Sequence, residues 1–328
     1  MINNGSLLKK IGNTPITKLQ KIVNGSGANI YAKLEYFNLT GSIKDRMASY
    51  IIEDAENRGI LKPGGTIIEN SSGNTGAALA MISSIKGYRC IITIPDKMSS
   101  EKINLMRAYG AEVIVTHTDV PADSPESYYS VARRLSEEIP NSFYPDQYNN
   151  PKNIEAHYMT TGPEIWKQTE GKIDYLVAGI GTGGTLSGTA RYLKKKKPDI
   201  NIIAVDPQGS VFYNYFKNGT CGEPHIYKVE GIGEDYLVKA VDFSMIDDII
   251  QINDKDSFLT TRRLAKEEGI FAGGSSGSAV WAALQVAKQA SKGENIVVIL
   301  PDHGARYLSK IYNDDWMREN GFLNGDRR

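Results

Sequence analysis

Lys44 stands in Gly41-Ser42-Ile43-Lys44-Asp45-Arg46, between an apolar-alternating stretch, Tyr31 to Tyr36, and the helix-period residues Met47, Tyr50, Ile51 and Ala55. A lysine just inside a helix start faces the positive end of the dipole, which favours its neutral, nucleophilic form. Neutral lysine amines are what condensation with a carbonyl requires. The competing reading is a solvated surface cation, and the rest of the chain has to separate the two.

Three further loops at strand–helix junctions carry groups suited to anions. Gly181-Thr182-Gly183-Gly184-Thr185 follows the apolar stretch Tyr175 to Ile180 and opens a helical pattern. Its glycines let backbone N–H groups converge at a helix N-terminus, which suits a phosphate; a tight packing turn is the alternative. The spacing is neither the G-x-G-x-x-G of dinucleotide sites nor the Walker pattern. Ser71-Ser72-Gly73-Asn74-Thr75-Gly76 offers hydroxyls and backbone donors for a carboxylate, with the Asn74 amide suited to a ring oxygen. A capping turn explains the same residues. Gly273-Gly274-Ser275-Ser276-Gly277-Ser278 is the third such loop. Histidines 117, 157, 225 and 303 are scattered without metal spacing, and His303 reads as a satisfied loop residue. No G-x-S-x-G elbow supports a serine hydrolase.

These loops need a scaffold that gathers them. Extended stretches at 66–69, 90–94, 112–116, 175–180, 202–205 and 296–300 alternate with helical patterns at 75–85, 99–109, 124–138, 153–168, 184–195, 256–268 and 277–290. Ser99 and Ser100 are candidate caps for the second of these helices. This rhythm predicts parallel βαβ units in two doubly wound, open-sheet α/β lobes. In such folds, ligand loops collect at the carboxyl ends of strands, here in a cleft between the lobes. The less regular stretch from Gln208 to about Ile246 suits loops over a site.

The 328 residues are 41% hydrophobic and 23% charged, which suits two domains with substantial cores. With 38 acidic and 38 basic residues, charge gives no reason to expect nucleic acid or an anionic membrane as partner. The Lys194 to Lys197 run reads as a solvated helix C-terminus. Cys90 and Cys221 lack metal or redox spacing, and Cys90 reads as a buried strand thiol. The first six residues show no apolar signal region, so the cytoplasm is the expected compartment.

Lys44 in GSIKDR, followed by the SSGNTG, GTGGT and GGSSGS loops, resembles the β-family of pyridoxal-phosphate enzymes in order and spacing. Within it, the chain is similar to the cystathionine β-synthase and cysteine synthase group from about Ser6 to Leu323. Segments at 98–102, 123–127, 146–148, 230–235 and 316–323 resemble the cystathionine β-synthase side. The Glu234-Asp235 form is similar to bacterial members, animal ones carrying an aromatic at the Glu234 position. Thr40 stands where the group usually has glycine, and Asn70-Ser71 replaces Pro-Thr. Both flank substrate loops and are expected to bear on acceptor choice.

The resemblance implies the tryptophan synthase β-like fold, with a smaller mobile lobe at 38–148 and a larger lobe from 1–37 plus 149–328. It implies pyridoxal 5'-phosphate bound in the cleft, no metal, and a homodimer acting on small amino-acid substrates. Neither a haem-binding extension nor a carboxy-terminal regulatory pair is expected. Lys44 would carry the cofactor as a Schiff base and shuttle the α-proton. Gly181, Thr182, Gly183, Gly184 and Thr185 would hold the phosphate, and Asn74 the ring hydroxyl. Ser275 would face the pyridine nitrogen, where a hydroxyl in place of a carboxylate disfavours transamination. Ser71, Ser72, Thr75 and Gln147 would clamp the substrate carboxylate, with Tyr148 beside the leaving group or incoming thiol. The implied reaction is β-replacement on L-serine or an activated serine through an aminoacrylate. Homocysteine is the first expected acceptor and sulfide the second; an amine acceptor or a dehydratase outcome completes the set.

Overall fold

A computed structural model describes residues 6–23, 25, 27–121 and 124–323. Asp123 and the first five residues therefore lie outside the described residues. In chain order the elements are β1 (Ile16–Lys18), β2 (Asn29–Leu34), α1 (Lys44–Asn57), β3 (Thr66–Asn70), α2 (Asn74–Lys86), β4 (Arg89–Pro95) and α3 (Ser100–Ala108). Then come β5 (Glu112–Thr116), α4 (Tyr128–Glu138), β6 (Ser142–Phe143), α5 (Pro151–Met159), α6 (Thr161–Gln168), β7 (Tyr175–Gly179) and α7 (Gly184–Lys196). The remainder is β8 (Asn201–Pro207), α8 (Phe212–Asn218), β9 (Asp248–Ile252), α9 (Asp254–Arg263), α10 (Gly274–Gln289), β10 (Asn295–Leu300) and α11 (Asp314–Glu319).

The strands form two sheets. One has six strands in the order β1-β2-β10-β7-β8-β9, the other four in the order β5-β4-β3-β6. Every pairing is parallel except β1 on β2. Parallel sheets need cover on both faces, which is why β7 and β10 read as near-continuous apolar runs. Ala279, Ala282, Ala283 and Val286 of α10 pack on one face of the large sheet, and Leu186, Ala190 and Leu193 of α7 on the other. The small sheet is sandwiched by α2 through Ala77 to Ile82 and by Ala132 of α4. Each fully buried Leu or Ile contributes about 1.5–3 kcal/mol. Among the described residues, no helix is long and apolar enough to cross a membrane.

Several boundaries differ from the sequence reading, each for a local reason. The first long strand stops at Leu34, and residues 35–37 turn into a 3-10 helix. The 153–168 pattern is two helices broken at Thr160, whose hydroxyl donates back to the Ala156 carbonyl. The helix expected from Ser124 begins at Tyr128, because the Ser127 hydroxyl accepts from the Ser130 amide and caps it. Ser99 does occupy a cap position, but its hydroxyl donates to the Arg306 carbonyl instead of capping. The helix read from Gly277 starts at Gly274, so Ser275 and Ser276 belong to its first turn. The pattern read as 256–268 begins at Asp254 and leaves α-geometry at Leu264, where a π-helical turn runs to Glu268. The irregular stretch after Gln208 holds α8, and the short elements β1, β6, β9 and α11 gave too little periodicity to be read.

Candidate active site

Lys44 is the first residue of α1, and the chain entering it is fixed from outside the helix. The Ile43 amide donates to the Pro301 carbonyl at 2.8 Å, and Ser42 bridges Asp302 just past the end of β10. The side chain lines a cleft of about 620 Å3. Burial holds its pKa below the ordinary lysine value, while the Asp302 and Glu234 carboxylates push the other way. A lysine poised in this manner has a larger neutral fraction than a solvated one.

The GTGGT loop follows β7 and borders a recess lined by Lys44, Gly181, Thr182, Gly183 and Thr185. A Cβ on Gly181 would sit 2.7 Å from the Gly231 carbonyl oxygen, and one on Gly183 would sit 2.6 Å from that of Ala240. Gly183 also has φ +85°, the left-handed region that side chains disfavour. Glycine is therefore required at both positions for the loop to pack this closely against residues 231 and 240–241 at the start of α7. Gly184 does not line it, packing instead against Asn153. Thr185 Oγ1 lies 3.2 Å from Nε2 of buried His157, whose other nitrogen meets Thr161. Burial keeps that imidazole well below its ordinary pKa, so it orients Thr185 as a neutral ring. Asn153 donates to Thr182 Oγ1 at 3.0 Å and to the Gln147 carbonyl at 2.8 Å, tying this loop to the opposite wall.

Asn74 opens α2 with its amide held from both ends. Its Nδ2 donates to Asp302 Oδ2 at 2.8 Å, and its Oδ1 accepts from the buried Arg306 guanidinium. Arg306 also donates to the Thr40 carbonyl, and the Tyr307 hydroxyl donates to Asp302 at 2.6 Å. Ser275 lines the cleft from the first turn of α10. The segment after β10 therefore touches the lysine loop, the asparagine loop and, through the Gly273 amide on the Asp302 carbonyl, the GGSSGS loop.

Ser72, Thr75, Gln147 and Tyr148 line the same cleft. Thr75 donates to Gln147 Oε1 at 2.7 Å, and Gln147 Nε2 donates to the Asn70 carbonyl at 3.1 Å. Ser71 lies beneath, its hydroxyl accepting from the Gly73 and Gly76 amides at 3.0 and 2.9 Å. Thr40 and Asn70 are turned away from the cleft. The Thr40 hydroxyl donates to Asp45, and the Asn70 amide oxygen accepts from Tyr144. His303 accepts from the Ala305 amide and is held between the Tyr36 and Phe271 rings.

Sequence reasoning missed Arg306, Asp302 and His157, which hold the candidate residues in place. Only the Pro301-Asp302 pair, set at a strand end, offered a signal. It also missed the tyrosines 128, 129 and 236, which with Tyr148 surround Glu234.

A family model described as pyridoxal-phosphate dependent enzyme matches residues 7–302. The cystathionine beta-synthase of Apis mellifera is 50% identical over 319 residues, covering 97% of this chain and 63% of its own length. A cysteine synthase of Staphylococcus aureus is 45% identical over 307 residues, covering 93% of this chain and 96% of its own. A solved O-acetylserine dependent cystathionine beta-synthase from Helicobacter pylori superimposes with TM-score 0.87 at 40% identity, covering 95% of this chain and 100% of that one. The chain belongs to the pyridoxal-phosphate dependent enzymes, in their cystathionine beta-synthase and cysteine synthase group, and has their tryptophan synthase β-like fold. It spans less than two thirds of the length of the first cystathionine beta-synthases it matches. Its residues fit the cofactor: a recess bordered by glycines whose tight turn leaves no room for a Cβ, a lysine with lowered pKa lining the same recess and a fixed amide in the adjoining cleft.

Proposed function

We propose that this chain catalyses pyridoxal-phosphate-dependent β-replacement on L-serine or an activated serine, with homocysteine as the first acceptor and cystathionine as product. The observation that carries the reading is Lys44, which lines both the glycine recess and the cleft it shares with Ser72, Thr75 and Gln147. When bound, the cofactor supplies an electron-withdrawing ring that acidifies the substrate Cα–H. Lys44 would carry it covalently and, once released, take the α-proton as a base. Backbone donors of Gly181, Thr182, Gly183 and Thr185 would hold its phosphate, Asn74 its ring oxygen and Ser275 its ring nitrogen. Ser72, Thr75 and Gln147 would grip the substrate carboxylate, with Ser71 shaping their loop and Tyr148 beside Cβ.

In this reading residues 38–148 form the smaller, moving lobe, and the protein works as a cytoplasmic homodimer. Sulfide as acceptor is the second reading, favoured by the similarity to cysteine synthase across nearly all of that protein's length. A panel of serine or O-acetylserine with homocysteine, sulfide or no acceptor, read by mass spectrometry, tests both. Cystathionine as the main product supports the first reading, and cysteine the second. Pyruvate formed regardless of acceptor overturns both. Purified protein is expected to be yellow, and Lys44→Ala to lose the covalently bound chromophore.

A further inference from the structure

Glu234 lines the same cleft as Lys44, on a loop whose backbone is pinned at three points. The Gly233 amide donates to the Ile180 carbonyl at 2.6 Å, and the Glu234 amide donates to Ser210 Oγ at 3.1 Å. The Glu234 carbonyl accepts from Val211 at 3.1 Å. Around its carboxyl stand Tyr128, Tyr129, Tyr148 and Tyr236, with Tyr148 bonded to it. The ring centroids of Tyr129, Tyr148 and Tyr236 lie 6.0–6.3 Å apart, forming an aromatic wall. Lys97 and Lys44 act on the carboxyl only at longer range, and Asp235 adds a like charge.

Four residues earlier, Glu230 has the opposite setting, with Lys102 at 2.5 Å and Lys310 at 2.7 Å. Burial opposes its charge, but the two lysines prevail and hold its pKa below the ordinary value. Burial, reinforced by Asp235, raises that of Glu234 to about 8. One loop thus presents an ionised carboxylate and a carboxylic acid, the separation by which enzymes assign acid and base roles.

We propose that Glu234 is the general acid that protonates the departing hydroxyl of unactivated L-serine, and the base that then receives the acceptor's thiol proton. This rests on the β-replacement reading above and narrows its donor to serine itself. In the first half the Cα–H proton passes to Lys44, the electron pair it leaves becomes the Cα=Cβ double bond, and the Cβ–O bond breaks. Its electron pair goes to oxygen, which takes the Glu234 proton and leaves as water. In the second half the thiol sulfur bonds Cβ and its proton returns to the Glu234 carboxylate. Lys44 gives back its proton to Cα, so both groups end as they began. Hydroxide is a poor leaving group and needs that proton; acetate does not.

The test compares Glu234→Gln with wild type on serine and on O-acetylserine, each with homocysteine. The ratio of kcat/KM for serine over O-acetylserine is expected to fall about 100-fold or more. Wild-type turnover of serine should decline above about pH 8, where the acid form is lost, with no such limb for O-acetylserine. On the protein alone, the infrared difference between wild type and E234Q should show a protonated carboxyl band that disappears through about pH 8. Equal losses with both donors, an unchanged serine rate, or no such band overturns the proposal. Should E234Q not fold, Glu234→Asp must lower the same ratio by a smaller factor, and an unaltered ratio overturns it. A wild type that consumes O-acetylserine but not serine sinks the Glu234 proposal alone. One that consumes neither sinks the β-replacement reading.

Discussion

At the scale of single residues, Thr40 shows how a departure from family habit changes meaning once it is placed. Its amide and hydroxyl both donate to Asp45, at 2.7 and 2.5 Å, and its carbonyl accepts from Arg306. Burial raises the Asp45 pKa to about 6, with the Thr40 bonds opposing the rise. Folding therefore binds this proton more tightly than the unfolded chain does. The associated stability is full below the unfolded value and is lost as pH climbs through about 6. Thr40→Val removes one donor from a buried acceptor and is expected to cost about 1–3 kcal/mol by urea unfolding. Acceptor preference should not move, because the side chain faces away from the cleft; a changed homocysteine-to-sulfide ratio would refute this placement. Glu234, noted in the sequence only as a substitution for an aromatic, is the departure that does line the cleft.

At the scale of elements, the position of α1 depends on charges outside the site. Arg46, two residues beyond the lysine, pairs with buried Glu35 at 2.7 Å and with Glu164 at 2.6 Å, while Lys33 reaches Glu164 at 2.9 Å. Breaking such a group strands a buried charge, so Arg46→Ala is expected to destabilise by about 3–5 kcal/mol. Burial opposes the Glu164 charge, but the cations prevail and lower its pKa to about 2. Its contribution is thus present above the ordinary carboxylate range and lost as pH falls toward about 2. An acid titration by circular dichroism should find R46A unfolding at higher pH than wild type. None of this was legible in the sequence, because Glu35, Arg46 and Glu164 fall in separate elements and carry no shared pattern. What was legible was anything periodic. The long helices and buried strands followed from apolar spacing, and the ligand loops from Gly and Ser at their junctions. Arg306 escaped notice because an arginine in a surface-looking loop has no period, yet it fixes Asn74.

For the whole molecule, the central fact is the place of β10. It is the last strand in the chain, yet it lies inside the large sheet between β2 and β7. The segment leaving it holds Ile43, Asn74 and the GGSSGS loop together. During synthesis the lysine, glycine and asparagine loops all emerge before the strand that unites them. If these loops hold pyridoxal phosphate as proposed, a nascent chain has no place for it until residues near Arg306 have left the ribosome. The cofactor then acts as a ligand of the finished fold, stabilising it by mass action. Refolding from urea should proceed at the same rate with or without it, while unfolding slows in its presence. A faster refolding rate with cofactor would show the loops meeting earlier. Vitamin supply would on this account govern how long the finished protein lasts, and leave the yield of folding untouched.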